Sequence, residues 1–508
     1  MIKSSRRWLW LALTPLGSPL GAQTDAALER AAETITAADV LRRVNLLAHD
    51  SMLGRDTPSR GLELAAEHVA AEFRRAGLQP AGDSGGFLQR FGLTRWVVDT
   101  AQSVVELAAG QSRGIARLGT DARYVLGKIP AGPVKGDVVL MAGSASDSLV
   151  TSEVKDRMVL LIADFTKPVP ASLNQQILEL TEAGPKAVLV LSNRDSATFT
   201  QRLETAAQLR VSRDGEWASE RSAPVIEIHE RALKAVLDKA GIEPRRWRRL
   251  EQGGRRPVPG LTIELRLARK VLDQAWVPNV VGILEGSDPV LRTEYLVYSA
   301  HIDHIGITPG QPDSINNGAD DNASGAAGLL ELVEAFSRLG VRPRRSILFL
   351  APSGEEAGLL GSEHFTEHPT VPLEKMVANL NMDLIGRNWR DSVIAVGPEQ
   401  SDLGQTLQRV VQAHPELRMT PIADRWPEER IFYRSDHYNF ARKGVPILFF
   451  TSGTHADYHR PSDEPGRIDG EKEARLVRLI FHVGAAVANA PARPRWTAES
   501  YRQIVERR

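Results

Sequence analysis

The sequence predicts an α/β fold with a mostly parallel, mixed central sheet flanked by helices, and a smaller inserted β-rich or α+β unit. Three observations carry this. From about residue 273 to 492, short apolar runs alternate with amphipathic helical stretches, the pattern of a sheet built through crossover connections. Between about 112 and 258 a second strand–helix alternation holds no cluster of metal-ligand residue types. In the first region histidines and carboxylates fall at the ends of the apolar runs, where open α/β sheets gather ligands.

Residues 1–22 read as a signal peptide. Lys3, Arg6 and Arg7 form a basic start, Trp8 to Leu16 is a short apolar stretch, and Gly21-Ala22 before Gln23 offers a small-residue cleavage site. The expected location is exported, periplasmic or secreted, by the general route or, through Ser5-Arg6-Arg7-Trp8-Leu9, by a twin-arginine route. The apolar stretch is too short to span a bilayer, and no membrane span is expected.

In the next stretch Ser59 can cap a helix in which Leu62, Ala65, Ala66, Val69, Ala70 and Phe73 form one apolar stripe, ended by Gly77. In the second region Gly136 to Met141, Arg157 to Ile162 and Lys186 to Leu191 read as buried strands, with a helix over Leu173–Glu182. The run Arg245–Arg249 reads as a solvated helix face, and Gly253–Gly260 as a linker. Beyond it the spacing predicts strands over Tyr295–Ala300, Ser346–Ala351, Val377–Met382 and Pro446–Phe450. Helices are predicted over Asn322–Leu339, Asp402–Ala413 and Glu471–Ala490.

Composition removes several function classes. The 508 residues are 42% hydrophobic and 25% charged, ordinary for a soluble globular protein. Lys plus Arg and Asp plus Glu both count 63, so no global field draws nucleic acid. There is no cysteine, which excludes disulfides, thiolate zinc sites and a cysteine nucleophile.

The candidate ligands are His301, Asp320, Glu356, Asp383 and His459, in the segments SAHIDHIG, NNGADDNASG, APSGEEAG, NLNMDLIG and ADYHRPSDEP. Two imidazoles and three carboxylates suit a pair of zinc ions. Asp303, two residues from His301 in an extended segment, can hydrogen-bond the far imidazole nitrogen. Asp320 is expected to bridge the ions, because two cations about 3.5–4 Å apart need an anion between them. Asp321 or Asn322 then caps the following helix. Of the adjacent pair Glu355-Glu356, one can bind metal while the other stays free to carry a proton to the leaving amine. Two dications against three carboxylates leave one positive charge, which a bound hydroxide would cancel.

These motifs resemble those of the secreted di-zinc aminopeptidases, the aminopeptidase Y and bacterial leucyl aminopeptidase type, related to glutamate carboxypeptidase and transferrin receptor. The resemblance covers about 36–95 and 273–492. It implies a zinc-peptidase fold with two Zn²⁺, one held by His301, Asp320 and Asp383, the other by Asp320, Glu356 and His459. It makes Glu355 the general base, Asp303 the carboxylate behind His301, and the Asp320–Asp321 peptide a cis bond. Tyr458 resembles a tyrosine that stabilises the tetrahedral intermediate. In Ser435-Asp436-His437, His437 could hydrogen-bond substrate, or the pair Asp436-His437 could be structural. Residues 112–258, with DRMVLLIADF and AGPKAVLVLSN, resemble a protease-associated domain. The implied division is 23–111 and 259–495 for the discontinuous peptidase domain, 112–258 for the insert and 496–508 for a tail.

The expected activity is that of a zinc-dependent exopeptidase. A metal-bridged hydroxide, with Glu355 as base, would remove the N-terminal residue of a peptide. Rival readings within the family are a dipeptidase, a carboxypeptidase and a glutaminyl cyclase. A non-catalytic receptor-like relative is the rival of another class. The expected partner is a peptide substrate.

Overall fold

The computed structural model describes residues 19–142, 151–166, 171–206, 210–213, 223–250, 254–310 and 312–506. The expected signal peptide therefore lies almost wholly outside the described residues. The first described element is the helix Pro19–Glu33. Among the described residues no helix is long and apolar enough to cross a membrane.

A ten-stranded sheet organises the ligand-bearing region. Its order runs Thr420–Ile422, Ser392–Val396, Ile447–Thr451, Met376–Met382, Tyr295–Ser299, Ser346–Ala351, Arg269–Leu284, Leu88–Val98 and Arg210–Arg213, with Gln79–Pro80 pairing beside Arg269–Leu284. The four strands from Ile447–Thr451 to Ser346–Ala351 are mutually parallel. They are buried along nearly their whole length, as strands covered on both faces must be. The flanking pairings with Ser392–Val396, Arg269–Leu284 and Arg210–Arg213 are antiparallel. The sheet is thus more evenly mixed than expected, because long antiparallel strands extend its parallel core on one side.

Helices cover both faces. The helix Arg60–Arg75 begins where the spacing predicts it, with Ser59 Oγ accepting the Leu62 N–H at 3.1 Å. Its stripe Leu62, Ala65, Ala66, Val69 and Phe73 is fully buried. It shares a core with Ala37–Leu47, Gly325–Ser337, Leu403–Ala413 and the closing helix Gly470–Asn489. Leu360–Glu367 and His437–Ala441 lie over the opposite face.

A second, eight-stranded sheet is ordered Ser112–Arg117, Val104–Ala109, Gly254–Arg266, Val134–Ala142, Met158–Ile162, Ala187–Ser192, Val225–His229 and Ala122–Leu126. Its strands run from Val104 to Arg266, while Arg210–Arg213 between them pairs in the first sheet. The expected linker Gly253–Gly260 needs correction: from Gly254 it is strand, paired with Val138–Ala142. Its Gly and Pro residues coincide with a register shift between Val258 and Thr262, the irregularity such residues impose on a ladder. The basic run is likewise only partly solvated. Arg248 is half-buried, donating to the Ala163 carbonyl and pairing with Glu230.

Candidate active site

The loops after the parallel strands converge at their carboxyl ends. His301 follows Tyr295–Ser299, Glu355 and Glu356 follow Ser346–Ala351, Asp383 follows Met376–Met382, and His459 lies in the loop after Ile447–Thr451. The turn Ala319–Ser324 enters the same space ahead of the helix Gly325–Ser337. Asn322 Oδ1 accepts the Gly325 N–H at 2.9 Å and so caps that helix.

Two groups of potential donors form there, each with its atoms within 4.8 Å of one another. One holds His301, Glu355 and Asp383; the other holds His304, Asp321, Glu356 and His459. Asp321 faces both. Its Oδ1 lies 3.6 Å from His301 Nε2, and its Oδ2 lies 3.1 Å from His459 Nε2.

This corrects the expected bridge at Asp320. The Asp320 carboxylate turns back into the protein, where Oδ1 accepts the Gly386 N–H at 2.6 Å and Oδ2 lies 3.2 Å from His455 Nε2. Adjacent carboxylates in a turn point different ways, and residue spacing could not choose between them. The cis peptide is Asp321–Asn322, one bond beyond the expected Asp320–Asp321.

The surroundings fix the donors. The His301 Nδ1 faces the Asp303 carbonyl at 3.2 Å; a carbonyl only accepts, so Nδ1 holds the proton and Nε2 faces the cluster. The expected partner was the Asp303 carboxylate, which lies farther away at 3.6 Å. That carboxylate instead accepts from the N–H groups of Glu355 (3.2 Å) and Glu356 (3.3 Å) and from Thr57 Oγ1. Asp303 thus places both glutamates. Ser435 Oγ donates to Asp383 Oδ2 at 2.9 Å. Asp463 accepts the N–H groups of Asp320 and Asp321.

Two buried cations stand behind these loops. Arg55 donates to the carbonyls of Leu47, Ile302, Asn317 and Gly318. Burial brings its pKa down to about 10, opposed by the site's carboxylates. Lys472 donates to the carbonyls of Ile385 and Arg387 and to Ser452 Oγ, and burial lowers it to about 8.

Electrostatics separates the paired glutamates. Burial raises Glu355 well above the carboxylate range; His301 opposes this, and Asp383, Glu356 and Asp436 add to it. Glu356 is largely shielded from solvent too, which would raise it, yet hydrogen bonds from His304 and His459 hold it below the usual range. Asp321 is raised to about 6, by burial first and then by Glu356. The His301 Nε2 and Asp383 Oδ1 atoms are buried and lie 3.3 Å apart without forming a hydrogen bond. Buried polar atoms aimed into one space without partners fit a cation held between them.

Tyr458 stacks on His459 with ring centroids 3.9 Å apart, and its hydroxyl pKa is raised by burial and by Asp321, Glu356 and Asp383. His437 is fully buried and stacked on Phe449, in keeping with the structural alternative that stood beside substrate contact. His304, Arg55, Asp463 and Lys472 were missed by sequence reasoning. His304 and Asp463 sat inside motifs already singled out, SAHIDHIG and ADYHRPSDEP.

All the residues of both donor groups fall within one segment with a known counterpart. Residues 279–484 match the model of peptidase family M28. This M28 segment bears out the resemblance at the motifs. Aminopeptidase YwaD of Bacillus subtilis (strain 168) is 29% identical over 127 residues, 25% of this chain and 26% of its own length. Leupeptin-inactivating enzyme 1 of Streptomyces exfoliatus is 33% identical over 193 residues, 38% of this chain and 39% of its own. The chain thus spans well under half the length of these curated relatives. The solved aminopeptidase from Aneurinibacillus sp. strain AM-1 superposes with a TM-score of 0.52 at 15% identity, covering 92% of this chain and 97% of that one. It shares the mixed α/β fold around the M28 segment.

Proposed function

We propose that the protein is a di-zinc metallopeptidase, an aminopeptidase that hydrolyses the N-terminal residue of peptides. One observation carries the two-ion reading: the buried Asp321 carboxylate presents one oxygen to His301 and the other to His459. His301, Asp321 and Asp383 would hold one zinc, and Asp321, Glu356 and His459 the other. When bound, the ions supply Lewis acidity to the scissile carbonyl and acidity to the attacking water. Glu355, set beside the donor groups by the Asp303 carboxylate that accepts its N–H, takes a proton from the attacking water and delivers it to the leaving amine. Tyr458, kept protonated by its raised pKa, can donate to the oxyanion that develops on the carbonyl. The M28 match and the named activities of the relatives support this reading. Residues 1–22 direct export in it, and the second sheet stands as a protease-associated-like unit.

The test is a panel of aminoacyl-nitroanilides and N-blocked peptides, assayed with and without zinc, alongside metal analysis. Zinc-dependent release from free-amine substrates is expected. Cleavage of blocked peptides but not free-amine ones would overturn the aminopeptidase assignment.

A further inference from the structure

The two donor groups are unequal. His301 and Asp383 flank the first, with Glu355 beside them, and Asp321 is shared. The second gathers Asp321, Glu356, His459 and also His304. His304 Nδ1 lies 2.7 Å from Glu356 Oε1 and 3.8 Å from Asp321 Oδ2. His459 Nε2 lies 3.0 Å from Glu356 Oε2 and 3.1 Å from Asp321 Oδ2. Two imidazole nitrogens therefore address the same two carboxylates from different sides, their rings crossed edge to face at 5.6 Å.

The fold seats the His304 ring firmly. Its backbone N–H donates to the Arg55 carbonyl, and Arg55 in turn ties down the Gly318 carbonyl. A Cβ at Gly318 would stand 2.5 Å from the His304 ring, at a left-handed φ of +57°. Glycine lets the imidazole pack close against the turn that carries Asp321. The ring is completely buried, so it has no solvent role to serve.

We propose that His304 is a metal ligand, so that the second zinc position is filled by four protein residues and the first keeps room for water and substrate. This rests on the di-zinc reading above and deepens it. Zinc sites closed by four protein donors serve as anchors, whereas catalytic ones keep a position free. The second ion would then be the resident one, and the first the exchangeable one.

The experiment uses the full-length zinc protein. Graded chelation followed by metal analysis should remove one ion per chain well before the other. His304→Ala and His304→Gln should release the retained ion about tenfold to hundredfold more readily, although a hydrogen-bond partner of a ligand can cost as much. The deciding readout is therefore structural. With one equivalent of cobalt(II) and ¹⁵N-labelled histidine, the wild type should show two hyperfine-shifted imidazoles, and His304→Gln one. A single shifted imidazole in the wild type would reduce His304 to a hydrogen-bond partner of Glu356 and overturn the proposal. That measurement stands whether or not the variants fold. A wild type that binds no metal would instead refute the di-zinc reading itself.

Discussion

At the residue scale, the site turns on pairs of neighbouring carboxylates with divided tasks. Glu355 and Glu356 share a loop, yet one is raised and the other lowered by what surrounds it. Glu355→Ala should keep both zincs on metal analysis and lose about 10²–10⁴ in kcat, the range for a lost general base. Near-wild-type turnover would remove Glu355 from that role. Asp320 and Asp321 divide in the same way. Asp321→Asn should deplete both ions, because one residue faces both groups. Asp320→Ala should retain them and instead loosen the loop at Gly386, whose N–H loses its acceptor, seen as a lower melting temperature. Equal metal loss in the two variants would contradict the division. His301, Glu356 and Asp383 could be read as candidates because they closely follow strands the sequence reveals, and His459 because it stands in a motif of its own. The choice between Asp320 and Asp321 was not, because it depends on the rotation of one turn held by Asp463. His304 was hidden for a related reason, since only folding brings its ring against Glu356.

At the element scale, periodicity was reliable where an element packs against many others. Arg60–Arg75, Leu403–Ala413 and Gly470–Asn489 lie within one or two residues of their predicted bounds. The Gly- and Pro-rich stretch after residue 253 was misread because its strand is defined by ladder pairing rather than by side chains. The closing helix shows how tightly the core is fitted. A Cβ at Gly484 would fall 1.5 Å from the Tyr298 hydroxyl, which donates to the Ile480 carbonyl in that same helix. Gly484→Ala should therefore destabilise the protein by about 1–3 kcal/mol through overpacking, despite alanine's better helix propensity. Adding Tyr298→Phe should recover part of the loss by vacating the hydroxyl's place. Denaturant melts of the two single variants and the double variant measure this, and strict additivity would exclude the contact as the cause.

At the scale of the whole molecule, the helix Pro19–Glu33 meets the closing helix Gly470–Asn489 at a histidine pair. His482, on the closing helix, stacks on His414 with centroids 3.8 Å apart, and Glu29 approaches both rings. Burial lowers the His482 pKa to about 4, with His414 and Arg478 pushing the same way. An unfolded histidine titrates near 6.5, so between about pH 6.5 and 4 the unfolded chain binds the extra proton. The contribution of neutral His482 is therefore fully present above about pH 6.5 and is lost as pH falls towards 4. Buried carboxylates such as Glu473, whose pKa is raised, act with the opposite sign, so the total curve does not isolate the histidine. The difference between wild type and His482→Phe does. Measured by denaturant unfolding after the same metal treatment, wild type should lose about 1–3 kcal/mol more than the variant between pH 7 and pH 4. Parallel stability curves would show that His482 is protonated as readily in the folded chain as in the unfolded one, and that burial at this helix junction does not govern its charge.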